Sequence, residues 1–240
     1  MKRNREPEII SDILLKDIGM NLEEIKSFVD AGRQLRKVSP SLRFDMPSQE
    51  AFKHLLRCYQ YEVQSRNCEF KSDQYTLDVI WRVAQHMTEI TPKPGLMLSG
   101  LQGNGKSTLA KAILRMIRDL NFNGHFKYMG EYFTMESRII KATDICTLHK
   151  AEDSYAISKL KQTPVLVIDD VGEEPKEVMI YGTPSYPLRE VLESRYDTML
   201  FTILTTNLSP KDLPEHYGWR VVDRFREMYY QVVHKSPSYR

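Results

Sequence analysis

The sequence predicts an α/β protein with a parallel sheet flanked by helices, and three apolar runs predict it. Residues 95–98, Gly-Leu-Met-Leu, lead into a glycine-rich loop and then a segment with helical periodicity. Val165-Leu166-Val167-Ile168 ends in Asp169-Asp170, and residues 199–204 end in Thr205-Thr206-Asn207. Uninterrupted apolar strands suit a parallel sheet covered on both faces, and such sheets place ligands at the carboxyl ends of their strands. The polar residues that close these runs are therefore the candidate site.

The loop after the first run reads Gly100-Leu-Gln-Gly103-Asn104-Gly105-Lys106-Ser107-Thr108. This is the G-x-x-x-x-G-K-[ST] pattern, in which glycines let backbone N–H groups approach phosphate oxygens. Lys106 is expected to reach the β- and γ-phosphates, and the Ser107 hydroxyl to ligand Mg²⁺. Leu109, Ile113, Met116, Ile117 and Leu120 recur at helical spacing. The loop thus opens a helix whose N-terminus faces the phosphates.

The chain of 240 residues has room for one large domain, or one domain and an appendage. Its composition, 41% hydrophobic and 28% charged, is that of an ordinary globular protein. A net charge of +2 does not announce nucleic-acid binding, so any DNA contact has to come from a local patch. Cys58, Cys68 and Cys146 are odd in number and widely spaced, which points to a reducing compartment. His54 and Cys58 stand one helical turn apart, but a zinc site would need four clear ligands. The charged start of the chain is no signal peptide, and no run approaches the ~20 apolar residues of a membrane span. A cytoplasmic location follows as an expectation.

Before the loop, residues 1–45 carry weak helical signals: Ile9, Ile10, Ile13 and Leu14, then Leu22, Ile25, Phe28 and Val29 behind Asn21 as N-cap. A basic stretch through Ser39-Pro40-Ser41 reads as a linker or exposed arm. Ser48 and Ser72 are expected to cap two further helices, with Phe52, Leu55, Leu56 and Tyr59 on one and Leu77, Ile80, Trp81 and Ala84 on the other. The aromatic group Tyr59, Tyr61 and Phe70 reads as core. A boundary near residues 66–71 separates a helical N-terminal region, 1–66, expected to bind a partner, from the main domain, 67–240.

After the loop, residues 126–129 are expected as the second strand, and 131–150 as a helical pair with a basic side, the best local candidate for touching DNA. Asp169 is expected to hold the Mg²⁺ shell and Asp170 to polarise the attacking water. Asn207 suits a hydrogen bond to that water or to the γ-phosphate. A last short helix with Val221, Val222 and Phe225 leaves Arg220, Arg224 and Arg226 on its other faces, and residues 229–233 read as a final strand.

Residues 70–240 together resemble the AAA+ ATPases of the DnaC/DnaI helicase-loader and IstB transposition-helper group. The resemblance rests on GLQGNGKST at 100–108, VLVIDDVG at 165–172, LREVLESRYD at 188–197, ILTTNL at 203–208, and GWRVVDRFREM followed by SYR at the end. It implies a P-loop AAA+ core with strand order 5-1-4-3-2, a small helical N-terminal domain and no separate C-terminal lid. It implies ATP/ADP and Mg²⁺ as ligands, with Gly100, Gly103, Asn104, Gly105, Lys106, Ser107 and Thr108 around the phosphates. The resemblance also implies Lys106, Asp169, Asp170 and Asn207 as the catalytic set, Arg224 as the arginine finger, and Arg240 as a second sensing arginine. The implied activity is an ATPase that loads a replicative hexameric helicase onto DNA, self-associates through its ATPase domains and binds single-stranded DNA. A transposase is the alternative partner.

Two departures qualify the match. Asp170 stands where Glu is common, which suggests slow or partner-stimulated turnover and leaves Glu173 or Glu174 open as substitutes. Transposition helpers often carry Asp-Asp there. The first 66 residues match no quoted family pattern. A small-metabolite kinase and a non-hydrolysing, ATP-gated adaptor are the rival classes.

Overall fold

The computed structural model describes residues 42–90, 92–122, 126–127, 136–236 and 238–239, together with Glu23 and Ser27, both helical. The chain divides into two compact units, Met1–Ser39 and Pro40–Arg240. The helices expected within 1–41 otherwise lie outside the described residues.

The division does not fall at 66/67. The second unit already contains β1 (Arg43–Phe44) and α1 (Ser48–Gln64). The buried stripe of α1, Ala51, Leu55 and Tyr59, belongs to the same apolar core as Leu109, Ile113 and Ile117 of α3 (Lys106–Phe122). A helix with one apolar stripe has to bury it, and here the main sheet's own helical layer supplies the surface. Pro47, not Ser48, occupies the N-cap of α1, and the Ser48 hydroxyl instead lies 2.7 Å from Thr88 Oγ1. α2 (Gln74–Thr88) is capped by Asp73 rather than Ser72, its carboxylate accepting from the Thr76 N–H at 3.0 Å.

The main sheet is parallel throughout, in the order β4 (Ser137–Lys141), β5 (Val165–Val171), β8 (Phe201–Thr206), β2 (Gly95–Gly100), β9 (Tyr229–His234). The expected order 5-1-4-3-2 is therefore present, but another segment fills its last place. Phe126–Lys127 (β3) leaves the sheet and pairs antiparallel with β1; residues 128 and 129 lie outside the described residues. β9 forms one edge; the other edge strand, beside β5, is β4, within the stretch expected as a helical pair. Ile139 at that edge is 44% exposed, so β4 lacks the apolar continuity that identifies the inner strands.

Helices cover both faces. Val165 and Val167 of β5 pack with α1, α2 and α3, whereas Leu166 and Ile168 pack with α4 (Ala142–Lys150), α5 (Ser154–Gln162), α6 (Pro187–Thr198) and α8 (Trp219–Met228). This is the alternation of a strand buried on both sides. The hairpin β6 (Val178–Ile180) and β7 (Thr183–Ser185) leads into α6. Met199 ends α6 in a left-handed conformation, φ 52°, so β8 starts at Phe201 and not at Met199. Arg195 of α6 is fully buried and donates to Thr202 Oγ1 and to the carbonyls of Leu160, Thr163 and Phe201 at 2.8–2.9 Å. It binds α6 to α5 and β8. From β8 the chain passes through α7 (Leu213–Tyr217) and α8 to β9. Among the described residues, no helix is long and apolar enough to cross a membrane.

Candidate nucleotide site

The phosphate loop leaves β2 at Gly100 and turns through Gly103 and Gly105, whose φ values are 82° and 97°. A Cβ at Gly105 would lie 2.4 Å from the Tyr59 hydroxyl, so glycine is required there on both counts. Lys106 then starts α3 and is 6% exposed. Its Nζ donates to Gly100 O and Leu101 O at 2.7 Å, to Asn207 Oδ1 at 2.9 Å and to Asn104 Oδ1 at 3.2 Å. A buried ammonium held by neutral oxygens, beside a helix N-terminus, is suited to an anionic ligand.

Below it, Ser107 Oγ donates to Asp169 Oδ1 at 2.8 Å, and Thr205 Oγ1 donates to the same oxygen at 2.5 Å. A hydroxyl and a carboxylate in contact at a phosphate loop fit the donor set of Mg²⁺, which takes one or two carboxylates and completes its shell with water and phosphate oxygens.

Asp170 reaches the site through a break in the strand. Ile168 pairs with Leu204 and Val171 with Thr206, so β5 carries one residue more than β8 across this step. Asp170 takes φ 58° at that bulge, and its N–H donates to Thr205 Oγ1 at 3.0 Å. Ile168 and Val171 consequently share one face, while Asp169 contacts the phosphate loop and Asp170 lines the cleft. Strict alternation would have sent the two acids to opposite faces. Burial, and then the negative charge of Asp169, holds the Asp170 carboxyl above the usual carboxylate range; Lys141 and Lys106 oppose the shift.

The two substitutes for Asp170 have other partners. Glu173 Oε1 accepts from Asn207 Nδ2 at 3.2 Å. Glu174 is 5% exposed, faces away from the cleft and accepts from the Gly172 N–H at 2.7 Å and from the Tyr217 hydroxyl.

The cleft has a volume of about 650 Å³. Part of its lining comes from elements whose sequence signals do not point to the site. Tyr59 and Val63 of α1, Arg66 just after it, Phe70, Thr76 of α2 and Tyr239 line it, and the Arg66 guanidinium donates to Thr108 Oγ1 on the loop side. Tyr59 and Phe70, read as core, form an edge-to-face pair with centroids 6.0 Å apart, whereas Tyr61 is exposed beneath the Arg115 guanidinium. The Tyr239 N–H donates to Gly103 O at 3.1 Å, and its hydroxyl donates to the Asp73 carboxylate. An aromatic wall beside a phosphate loop offers a base and a triphosphate their separate surroundings.

No family model and no curated protein matches the sequence. Solved structures do. The DnaC helicase loader superposes on 70% of this chain and 94% of its own, with 23% identity and a TM-score of 0.52. DnaI superposes on 84% of this chain and 98% of its own, with 21% identity and a TM-score of 0.55. A putative primosome component from Streptococcus pyogenes serotype M3 superposes on 70% and 84%, with 21% identity and a TM-score of 0.51. The chain has the fold of the DnaC and DnaI structures.

In this DnaC-like fold, one of the predicted residues stands apart from the cleft and another lies outside the described residues. Arg224 on α8 pairs with Glu193 Oε1 at 2.8 Å and lies over the Tyr196 ring, away from its own chain's phosphate loop. Arg240 lies outside the described residues. The basic side expected over 131–150 is divided. Residues 131–135 are not described, Arg138 pairs with Glu136, and Lys141 lines the nucleotide cleft.

Sequence reasoning also missed His234 and Ser236. Asn104 Nδ2 donates to His234 O at 2.9 Å, and Ser236 Oγ donates to Asn104 O at 3.2 Å. His234 Nδ1 lies 2.6 Å from Ser236 Oγ, so Nδ1 carries the proton of this buried chain. Burial, and then the Lys106 charge, lowers the His234 pKa to about 4. The position of His234 at the end of a strand is readable; its partner 130 residues earlier in the chain is not.

Proposed function

We propose that this protein is an ATPase that loads a replicative hexameric helicase onto DNA, assembling through its ATPase domains and binding single-stranded DNA. One observation carries the ATPase reading: Lys106, Asn207, the Ser107–Asp169 pair and Asp170 converge on one cleft at the carboxyl ends of β2, β5 and β8. Lys106 and the backbone of Gly100, Gly103, Asn104, Gly105 and Thr108 hold the phosphates. Ser107 and Asp169 hold Mg²⁺, which when bound neutralises charge on the phosphate oxygens. Asp170 accepts the proton of the attacking water. Asn207 either turns its Nδ2 donor from Glu173 to the γ-phosphate or accepts from the attacking water at the Oδ1 that now takes the Lys106 bond. Arg224 serves the site of a neighbouring copy, consistent with its distance from its own cleft, and Arg240 senses the phosphates from the end of the chain.

The partner assignment is supported by the fold shared with a DnaC helicase loader and with DnaI. A cytoplasmic location is part of the same proposal. The pair Asp169-Asp170 favours the second reading, an IstB-like helper of a transposase. The test uses the tagged full chain with ATP, with ADP and without nucleotide, against host lysate. ATP-dependent capture of the replicative helicase supports a loader. Capture of a transposase replaces it with the second reading. Absence of ATP turnover, alone and with single-stranded DNA, would remove the ATPase assignment.

A further inference from the structure

We infer that Glu174 is a positioning residue that ties the nucleotide state of the cleft to α8, the helix that carries Arg224. The inference rests on the ATPase reading above and extends it to regulation of the same site.

The acid loop after β5 is tightly folded. Asp170 takes φ 58°, the Glu173 N–H donates to Asp170 O at 3.1 Å, and Gly172 takes φ 103°. A Cβ on Gly172 would lie 2.7 Å from Leu208, next to Asn207. The cleft acid and the cleft amide are therefore packed through one backbone turn.

Glu174 closes that turn and reaches the second element. One carboxylate oxygen accepts from the Gly172 N–H at 2.7 Å. The other accepts from the Tyr217 hydroxyl and lies 3.6 Å from His216 Nε2. Tyr217 ends α7, and its ring meets Phe225 of α8 edge-to-face with centroids 5.7 Å apart. Phe225 is the neighbour of Arg224. Between α7 and α8 stands Gly218 alone, at φ 82°, a position where the chain can swing. A carboxylate 5% exposed is costly unless it is well partnered, and these partners come from the two elements that it joins.

The physical consequence is a two-way constraint. A shift of the Asp170–Gly172 backbone when a γ-phosphate enters pulls on Glu174, and through Tyr217 on the start of α8. An apolar contact would allow sliding, whereas a buried charge-assisted bond moves its partners together or breaks.

Trp219, the first residue of α8, is 69% exposed and reports on this joint. The sequence contains two tryptophans, so Trp81→Phe leaves Trp219 as the lone indole. In that background, emission is compared with saturating ADP and with a slowly hydrolysed γ-thio analogue of ATP. Fluorescent-nucleotide affinity is measured in parallel. The parent is expected to show a difference between the two nucleotides. Glu174→Gln is expected to keep affinity within about 2-fold and lose most of that difference. Tyr217→Phe, which keeps the ring on Phe225 and removes the hydroxyl, separates loss of the bond from loss of folding and is expected to act in the same direction.

A Glu174→Gln and Tyr217→Phe pair that both retain the full nucleotide difference would overturn the inference. So would a folded parent that binds both nucleotides with identical emission. A parent that binds neither nucleotide would instead overturn the ATPase reading and the relay with it, and the affinity measurement distinguishes these cases.

Discussion

Asp170→Asn separates the two consequences of placing this acid on a bulge. Asn tolerates the left-handed backbone as Asp does, so the substitution at φ 58° keeps the loop. It removes the proposed base; general bases contribute about 10²–10⁴-fold in enzymes, or about 3–5 kcal/mol of barrier at 1.36 kcal/mol per decade. It also removes a charge that the fold disfavours. The folded pKa of Asp170 is raised by burial and by Asp169, so the folded chain holds the proton more tightly than the unfolded one. Stability then falls as pH rises from the ordinary carboxylate pKa through the raised one, and the deficit persists at neutral pH. Asp170→Asn is expected to melt higher than wild type at pH 7–8, to bind fluorescent ATP at least as tightly, and to release phosphate about 10²-fold more slowly or worse. Asp170→Glu, the side chain common in the resembled group, is expected to melt lower, because left-handed backbone costs about 1–2 kcal/mol for residues other than Gly, Asn and Asp. Phosphate release at saturating ATP and thermal melts from pH 5 to 8 provide the readout. Turnover by Asp170→Asn within about 10-fold of wild type would refute the base assignment. A lower melting temperature for it at pH 7–8 would refute the burial argument.

Lys106→Ala removes an ammonium seated between the loop carbonyls and Asn207, and is expected to weaken ATP at least about 10–100-fold, since hydrogen bonds to charged groups contribute ~1.5–3 kcal/mol each; fluorescent-nucleotide titration reads it. Arg224→Ala is expected to keep that affinity while losing the rise of specific turnover with protein concentration; an unchanged concentration dependence would sink the finger in trans, whose effect elsewhere reaches about 10³-fold or more. Arg195→Met strips three buried carbonyls and a hydroxyl of their donor, so urea unfolding should show a loss of about 2–5 kcal/mol with nucleotide binding largely preserved in the folded fraction. His234 carries a pH signature of its own. Its folded pKa of about 4 lies below the ordinary value of 6.5, so the unfolded chain binds the extra proton, and stability is lost as pH falls between them, by up to roughly 3 kcal/mol. His234→Asn, whose amide can replace Nδ1–H toward Ser236, should flatten that part of the stability–pH curve.

Much of the site was legible in the residues alone. The phosphate loop, its helix and the inner strands are local objects, and their periodicities of 3.6 and 2 are written in consecutive residues. Leu109, Ile113 and Ile117 declare α3, and Val165 to Ile168 declare a strand buried on both faces, whatever surrounds them. Other features depended on distant partners. The edge strand Ser137–Lys141 was misplaced because it buries little and so shows no apolar run, while Phe126–Lys127 turned to β1 instead. Tyr59 was read as core from its neighbours on α1, and only the return of β9 and Tyr239 across Gly103 made it a wall of the cleft. The bulge at Asp170 exists because β5 and β8 pair with unequal numbers of residues, a relation between two strands that neither contains. The sequence by itself determined which side chains are available for the chemistry. The tertiary structure decided that both acids reach the site, that Glu174 leaves it for Tyr217, and that α1 belongs to the same unit as the phosphate loop, because strand register and helix docking are set by long-range burial rather than by local periodicity.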